Sequence, residues 1–360
     1  MRIAMLATSR HPIVEPYAGG QESHTALLAR GLRRLGHHVR LYGCAGTDPE
    51  LADELVPYVE LPELSEVAGL DYALPPDFLD DHAAFTGAVG HLLERDDVDV
   101  VHNQSLHFLP LALSGALSVP VVTTLHTPPL PWMEMGVALA GPLAAYVCVS
   151  RANSADWTTL PTRPRIIHNG VEDDGGGPGE GGEHLVWTGR LTPEKGTDLA
   201  IRAARAAGRR LRIAGPVSDR AWFDEVVAPE LDDDIEYVGH LSHAELGALV
   251  RASSAALVTP RWDEPFGLVA AEAVMWGTPV VALDRGGLSE FLTADLGVVV
   301  ASGGDDDEAV QAIADGVPVA EAMRRPDVHA AARESLGAHR MVDEYTALYR
   351  ELILGQDAGR

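Results

Sequence analysis

The sequence alternates short apolar runs with helical segments, and this alternation constrains the fold more than any other feature. In the first half, a strand pattern at 2–7 is followed by a loop, a helical segment at 22–35 and a strand at 38–42. The second half restarts the order, with strand patterns at 184–188, 211–214, 235–238, 255–259 and 280–283. Strands that alternate with helices are typical of parallel sheets. The sequence therefore predicts an α/β fold with one parallel sheet in each half.

A glycine-rich segment, DDGGGPGEGGE at 173–183, separates the two halves. Six of its eleven residues are glycine, and such a segment is expected to be flexible because it contributes little to a core. We therefore predict an N-terminal domain at 1–172, a linker at 173–183 and a C-terminal domain at 184–342. The length of 360 residues agrees with two domains of ordinary size.

The stretch 261–283, RWDEPFGLVAAEAVMWGTPVVAL, predicts a loop, a helix and a buried strand. Glu264 lies in the loop and Glu272 inside the helix, so a fully helical interval would separate them by roughly 12 Å. That distance excludes a shared metal ion, since ligand oxygens lie about 2–2.6 Å from the metal. The free N–H groups at the helix start, near Gly267 and Leu268, offer an anion site. The stretch therefore suits a ligand with a central phosphate and hydroxyls at both ends.

The loop GRLTPEKG at 189–196 carries two cations between a strand and a helix. Lys195 is the only lysine of the sequence; the other members of the 27 Lys and Arg are arginine. A compact ammonium differs physically from a planar guanidinium, so its retention here favours a specific role. Arg190 and Lys195 suit a diphosphate, or the negative charge that develops on a leaving group. The alternative is a solvated basic loop.

Candidate ligand contacts in the first half follow the ends of its predicted strands. Gly19 and Gly20 precede a helix and permit close approach of an anion. They do not form GxGxxG, so the signal for a nicotinamide cofactor is weak. The carboxyl ends of parallel strands share one edge of a sheet, which places this loop near His102 and His126. We interpret His102 as structural and His126 as functional.

Charge and cysteine content limit the partners and the compartment. The net charge of −26 argues against nucleic acid and anionic membranes, because both need exposed cations. It indicates either general solubility or a cationic acceptor or partner. Cys44 and Cys148 form no disulfide framework, and no apolar run reaches the roughly 20 residues of a membrane span. Together with the lack of a signal-peptide pattern, this predicts a cytoplasmic protein.

Metal binding is not predicted. The acidic runs at 232–234 and 305–307 are interpreted as loops, and His240 and His243 straddle a turn without nearby cysteines. Neither a GxSxG motif nor a Ser-His-Asp set is present. The acidic, irregular segment 48–81 is interpreted as an excursion or a flap.

Several motifs together resemble the family-4 retaining glycosyltransferases. They are GRLTPEKG, EPFGLVAAEA with its E-x₇-E spacing, GTPVVALDRGGLSE, AGGQE, TLHTPP and HNGVE. The resemblance covers nearly the whole chain, apart from segment 48–81. It implies a GT-B architecture, with two Rossmann-like domains facing across a cleft and a last helix, at about 343–360, crossing back to the N-terminal domain. It also implies a nucleotide-diphosphate sugar donor, UDP- or GDP-linked, with no cofactor and no metal.

The resemblance also implies roles for individual residues. Arg190 and Lys195 would hold the diphosphate, and Glu272 would hold the ribose. Glu264 would contact the donor sugar. The remaining implied contacts are backbone N–H groups of Gly267 and Leu268 to sugar or phosphate, Gly19 and Gly20 to the diphosphate, His126 to sugar and acceptor, and Val238, Gly239 and Leu241 to the base.

The implied reaction is transfer of a hexose-type sugar with retained anomeric configuration. A leaving-phosphate oxygen would take the acceptor proton, while Glu264 as a nucleophile is the competing idea. The acceptor is expected to be soluble and small, such as a cyclitol, an aminosugar or a secondary-metabolite scaffold. Trp132, Met133 and Met135 form either an apolar acceptor wall or core packing. Alternatives are a nucleotide-sugar-binding relative without transfer and a phosphorylase or epimerase, and a homo-oligomer stays open.

Overall fold

A computed structural model describes residues 1–60, 76–301 and 303–358. The chain forms two compact units. Unit 1 comprises Met1–Val149, Ser154–His168 and Met341–Arg360, and unit 2 comprises Ser150–Asn153 and Asn169–Arg340. Both units are α/β, as predicted.

The described residues contain thirteen strands and thirteen α-helices. The strands are β1 (Arg2–Leu6), β2 (His38–Gly43), β3 (Glu54–Pro57), β4 (Val100–Asn103), β5 (Val121–Leu125), β6 (Ala144–Cys148), β7 (Arg165–Ile166), β8 (His184–Thr188), β9 (Arg210–Ala214), β10 (Ile235–Gly239), β11 (Ala256–Val258), β12 (Val280–Leu283) and β13 (Gly297–Val300). The helices are α1 (Gly20–Arg34), α2 (Pro76–Leu93), α3 (Leu109–Ala112), α4 (Pro131–Ala138), α5 (Arg151–Asp156), α6 (Thr197–Ala206), α7 (Arg220–Trp222), α8 (His243–Arg251), α9 (Leu268–Met275), α10 (Leu288–Phe291), α11 (Asp306–Glu321), α12 (Arg325–Leu336) and α13 (Ala338–Ala358).

Each unit is built on one parallel sheet. Unit 1 has the strand order β3-β2-β1-β4-β5-β6-β7, and unit 2 has β10-β9-β8-β11-β12-β13. All the strand pairs within these sheets are parallel. The first strand of each unit lies inside the sheet, and the order reverses there, which is the Rossmann-like arrangement. The two predicted Rossmann-like domains are thus confirmed.

The last helix packs on unit 1, as the resemblance implied. Its residues Tyr345 and Tyr349 are fully buried. The Tyr345 hydroxyl lies 2.8 Å from Thr124 Oγ1, and the Tyr349 hydroxyl lies 2.6 Å from His102 Nδ1. Residues distant in sequence therefore complete the core of unit 1.

The glycine-rich segment differs from the predicted linker, because it belongs to unit 2. Arg251 Nε donates to Gly177 O at 2.9 Å, and Arg325 Nε donates to Gly179 O at 2.7 Å. The chain passes between the units at 149–150, 153–154, 168–169 and 340–341 instead. The boundaries of the units thus differ from the predicted domains 1–172 and 184–342.

Two further segments bear on the sequence predictions. The proline-rich stretch that carries Trp132, Met133 and Met135 contains the helix α4, in which Pro131 occupies the first turn, where its missing N–H costs nothing. Of the predicted excursion 48–81, residues 61–75 lie outside the described residues, and α2 begins directly after them.

Candidate functional site

The predicted donor residues of unit 2 come from loops at one edge of its sheet. These loops follow β8, β10 and β11, and a fourth loop follows β12. Because all strands of this sheet are parallel, their carboxyl ends meet at the same edge. Ligands of open α/β sheets bind at this edge.

The loop after β8 is pressed against the end of β11. Gly196 has a left-handed backbone with φ of 68°, and a Cβ there would lie 2.0 Å from Thr259 O. Thr259 Oγ1 donates to Gly196 O at 2.7 Å. The short turn Pro193–Lys195 precedes Gly196 directly. This close approach fixes the backbone beside Lys195, and only glycine permits it without displacement.

Lys195 and Glu264 form an ion pair at this edge. Lys195 Nζ donates to Glu264 Oε1 at 2.5 Å, and their side chains are only 20% and 10% exposed. Trp262 Nε1 donates to the same oxygen at 2.9 Å. The ammonium lies 4.9 Å from the centre of the Trp262 ring. The pair is shielded from water, so its interaction is stronger than that of a surface pair.

The backbone of Glu264 is held by the loop after β12. Gly287 N donates to Glu264 O at 2.7 Å. Gly286 has φ of 63°, and a Cβ on it would lie 2.2 Å from Glu264 O. Two loops therefore hold the ion pair, one on each partner.

The start of α9 follows Glu264 closely in the chain. Gly267 caps it with φ of 99°, and a Cβ there would lie 2.3 Å from Leu288 Cδ2. The first N–H groups of a helix have no intrahelical partner and carry partial positive charge. The N–H groups near Gly267 and Leu268 therefore offer a positive element directly after the loop that carries Glu264.

Glu272 lies within α9 and faces α8. The side chain is half-buried, and burial raises the pKa of its carboxyl, while the charge of His243 acts in the opposite direction. Val238 and Gly239 end β10, and Leu241 lies in the loop that leads to α8. Gly239 has φ of 92° and open space within 4 Å of a would-be Cβ. An accessible, glycine-containing backbone thus lies at the predicted base-binding loop.

Arg190 is not part of the ion pair. Its side chain is 51% exposed and lies 4.0 Å from Glu194. The structure thus brings Lys195 and Glu264 together and leaves Arg190 on the surface of the same loop.

In unit 1, His126 lies directly after β5 and contacts the first turns of α1. Its Nε2 lies 2.6 Å from Gln104 Oε1, and its ring centre is 4.9 Å from that of His24 in α1. Gly20 is the first residue of α1 and Gly19 is its cap. The structure therefore gathers the three unit 1 residues predicted from sequence at one end of their sheet.

Burial determines the charge of the two histidines in this region. It lowers the pKa of His126 well below the usual value, and the nearby His24 and His102 lower it further. His102 is fully buried, and burial likewise lowers its pKa. Both rings are therefore neutral at pH 7, and His102 is a packed residue, in agreement with the structural role we expected for it.

Sequence reasoning missed two residues that contact the predicted ones. Trp262 precedes Glu264 by two positions, and this closeness in sequence could have indicated that the two side chains are in contact. Gln104 is fully buried beside His126. It belongs to the polar run that follows β4, which was the only hint in the sequence.

The described residues contain neither a cluster of metal-ligating side chains nor a helix suited to cross a membrane. No group of three or more His, Cys, Asp or Glu side chains within them is arranged to hold a metal ion. None of the helices within those same residues combines the length and apolar character needed to cross a membrane.

Comparison with known proteins identifies the family. The model of Glycosyltransferase Family 4 matches residues 18–174, and that of Glycosyl transferases group 1 matches residues 173–324. Glycogen synthase of Mycobacterium tuberculosis is 29% identical over 352 residues, covering 81% of this chain and 80% of the relative. D-inositol 3-phosphate glycosyltransferase 1 of Catenulispora acidiphila is 29% identical over 417 residues, covering 98% and 96%.

Solved structures agree in fold. AviGT4, a glycosyltransferase involved in avilamycin A biosynthesis, has a TM-score of 0.70 at 24% identity, with 98% of each chain covered. Sucrose-phosphate synthase from Thermosynechococcus elongatus has a TM-score of 0.80 at 20% identity, with 98% of this chain and 99% of the other covered. With two family models adjoining in the order of the two units, the chain belongs to the family-4 GT-B glycosyltransferases.

Proposed function

We propose that this glycosyltransferase moves a hexose-type sugar from a nucleotide-diphosphate sugar to a hydroxyl of a small soluble acceptor, with retention and without a metal. The observation that carries the proposal is the shielded Lys195–Glu264 pair just before the start of α9. A cation and a helix start, adjacent in one loop system, suit an anionic leaving group.

The chemical step places negative charge on the leaving diphosphate. The bond between the sugar anomeric carbon and the phosphate oxygen breaks, and the acceptor oxygen bonds to the same face of that carbon. The acceptor proton passes to a leaving-phosphate oxygen. Lys195 and the N–H groups near Gly267 and Leu268 stabilise the developing charge. Removing one such fixed donor typically lowers the rate by about 10²–10³-fold.

The other residues of unit 2 hold the donor in this proposal. Glu264 accepts hydrogen bonds from sugar hydroxyls and Glu272 from the ribose. Backbone groups of Val238, Gly239 and Leu241 contact the base, and Arg190, exposed on its loop, contacts the diphosphate. The donor sugar is linked to UDP or GDP. The contacts from unit 1 are those that the family resemblance implies. Gly19 and Gly20 contact the diphosphate, and His126 contacts the sugar and the acceptor.

The acceptor is the least constrained part of the proposal. Trp132 and Met135 of α4 are 50% and 45% exposed, whereas Met133 is 1% exposed and belongs to the core. An apolar acceptor wall is therefore restricted to Trp132 and Met135. The names of the relatives imply different acceptors for them, so the acceptor class rests on the acidic surface, which disfavours anionic acceptors.

A donor-cleavage assay tests the proposal. Purified protein is screened by thermal shift against UDP-, GDP- and dTDP-sugars, and release of nucleoside diphosphate is measured with the donor that binds. Lys195→Ala should lower the rate by about 10²-fold or more in a protein that still melts cooperatively, although the melting temperature should fall because Glu264 stays shielded without its cation. Arg220→Ala is the matched control, because it removes one exposed cation that pairs with Asp224.

Each outcome separates the alternatives. Donor binding without cleavage, even with candidate acceptors, would indicate a nucleotide-sugar-binding relative. Wild-type turnover by folded Lys195→Ala would exclude the assigned site. Full activity after treatment with EDTA is expected, and the anomeric configuration of the product, measured by proton NMR, decides between retention and inversion.

A further inference from the structure

Gln104 lies between two neutral histidines in unit 1. Its side-chain Oε1 is 2.6 Å from His126 Nε2. Its side-chain Nε2 is 3.1 Å from His102 Nε2 and 3.3 Å from His102 Nδ1. Gln104 is fully buried, so these contacts do not compete with bulk water. The amide therefore presents its oxygen to one ring and its NH₂ group to the other.

With the amide oxygen of Gln104 toward His126, the proton of His126 lies on Nε2. An amide oxygen is only an acceptor, so a contact of 2.6 Å requires that the histidine nitrogen carries hydrogen. A neutral imidazole has one protonated nitrogen, which leaves the other as an acceptor. Burial lowers the pKa of His126, which keeps the ring neutral at pH 7. The Nδ1 atom of His126 is then the acceptor.

The Nδ1 atom is available for a ligand. Among the described residues, His126 makes its hydrogen bond through Nε2, and Nδ1 is absent from the buried atoms that lack a partner. His24 contacts the ring edge-on, at 4.9 Å between ring centres. An accessible, unprotonated ring nitrogen suits a hydroxyl donor.

Two helices of unit 1 hold the backbone of Gln104 and the ring beside its amide. Gln21 of α1 donates its side-chain NH₂ to the backbone oxygen of Gln104. On the other side, His102 is held by Tyr349 at 2.6 Å and by Thr124 at 2.8 Å. The first helix thus holds the backbone of Gln104, and the last helix holds the His102 ring that lies beside its side chain.

We propose that Gln104 is a positioning residue that holds His126 as the Nε2–H tautomer, so that His126 Nδ1 accepts a hydrogen bond from a sugar hydroxyl. The proposal rests on the proposed function for the identity of the ligand, but the tautomer does not depend on it. It excludes His126 as a hydrogen-bond donor through Nδ1.

The tautomer can be measured directly on the whole protein. Histidine-selective ¹⁵N labelling and long-range proton–nitrogen correlation distinguish Nε2–H from Nδ1–H rings, and loss of one signal set in His126→Gln assigns the ring. Wild type at pH 7.5 should show a neutral Nε2–H ring. Gln104→Met removes the acceptor with little change of volume and should abolish the single tautomer. Gln104→Glu keeps an oxygen acceptor and should keep the Nε2–H signal.

Tyr345→Phe is the control for the packing of this region. It removes a buried hydroxyl that bonds Thr124 but keeps the ring, and it should leave the His126 signals unchanged. In donor cleavage, Gln104→Met should lose at least about tenfold, which corresponds to one positioned hydrogen bond, while Tyr345→Phe should retain most activity.

The outcomes distinguish this proposal from the proposed function. A wild-type Nδ1–H ring, or an unchanged tautomer in Gln104→Met, overturns the positioning role whatever the activity. An altered tautomer with wild-type activity overturns the role of His126 Nδ1 toward substrate. If Gln104→Met does not fold, the wild-type and Gln104→Glu spectra still test the proposal, because both must show the Nε2–H ring of His126. Lack of any donor cleavage by wild type counts against the proposed function alone.

Discussion

At the scale of single residues, two glycines with nearly the same φ allow the cost of a left-handed backbone to be measured apart from the cost of a steric clash. Gly196 has φ of 68° and Gly208 has φ of 64°, but a Cβ would lie 2.0 Å from Thr259 O only at Gly196, with nothing within 4 Å at Gly208. Gly208→Ala should lower the free energy of unfolding by about 1–2 kcal/mol, the usual cost of a left-handed backbone.

Gly196→Ala should cost more than Gly208→Ala and should also impair donor cleavage. The reason is that the backbone beside Lys195 must move away from Thr259 to admit the methyl group. Denaturant unfolding and donor cleavage, measured on both variants, check the prediction. Equal stability and equal activity of the two variants would contradict the close approach.

Residues of the candidate site differ in how far the sequence predicts them. Lys195 and Glu264 are predicted because each lies in a recognisable motif. The contact between Lys195 and Glu264 is not predicted, because they are 69 positions apart in the sequence. The sequence analysis places each of them against a different part of the ligand. For Gln104 the sequence offers only the polar run after β4, because its role depends on His126, which follows the neighbouring strand β5.

At the scale of elements, α13 packs closely on α1. A Cβ on Gly31 would lie 2.4 Å from Val342 Cγ2, whereas one on Gly90 in α2 would have nothing within 4 Å. Valine is stiff at χ1, so Gly31→Ala should displace α13 and lower the free energy of unfolding by about 1–3 kcal/mol. Gly90→Ala should be neutral or raise it by about 0.5–1 kcal/mol, as alanine does within helices. Thermal melts of both variants distinguish a decrease in stability from an increase. Equal shifts would rule out the close contact between Gly31 and Val342.

The glycine-rich segment supplies a second element-scale prediction. Arg325 bonds Gly179 O, Ser253 O, Arg251 O and Thr278 Oγ1. Arg325→Leu should therefore release the segment and make it sensitive to a glutamate-specific protease at Glu180 and Glu183. The adjacent Arg324 pairs with Asp327 on the surface, so Arg324→Leu should remain as resistant as wild type. Rapid cleavage of the wild type would instead support a flexible linker.

The same segment shows where sequence patterns stop being informative about elements. Strands such as His184–Thr188 and Val280–Leu283 are predicted residue by residue, because their apolar runs are local. Glycine content predicts only an intrinsic freedom of the backbone. Whether the segment is flexible depends on its hydrogen bonds to Arg251 and Arg325, which lie far along the chain. These bonds hold the predicted linker against unit 2.

At the scale of the whole molecule, buried histidines and paired carboxylates act in the same direction on acid stability. Burial lowers the pKa of His107 to about 4, with His82 and Arg10 adding to the effect and Asp81 opposing it. An unfolded histidine titrates near 6.5, so below that pH the unfolded chain binds more protons than the folded one. The free energy of unfolding must therefore fall between pH 6.5 and about 4. Below about pH 4, carboxylates whose ion pairs lower their pKa, such as Asp306 beside Arg261, continue the loss.

The net charge of −26 opposes this trend, since acidification relieves repulsion between carboxylates. Salt screens the repulsion between exposed charges, but it changes much less the cost of charging His107, which is half-buried. Melting temperatures at pH 7.5 and 5.0 in about 0.5 M NaCl, where the Debye length is below 8 Å, should therefore fall with pH. His107→Gln should reduce the fall, by about 1–2 kcal/mol in the free energy of unfolding, while His11→Gln, at an exposed position, should not. An unchanged slope in His107→Gln would mean that His107 takes up its proton within the folded unit.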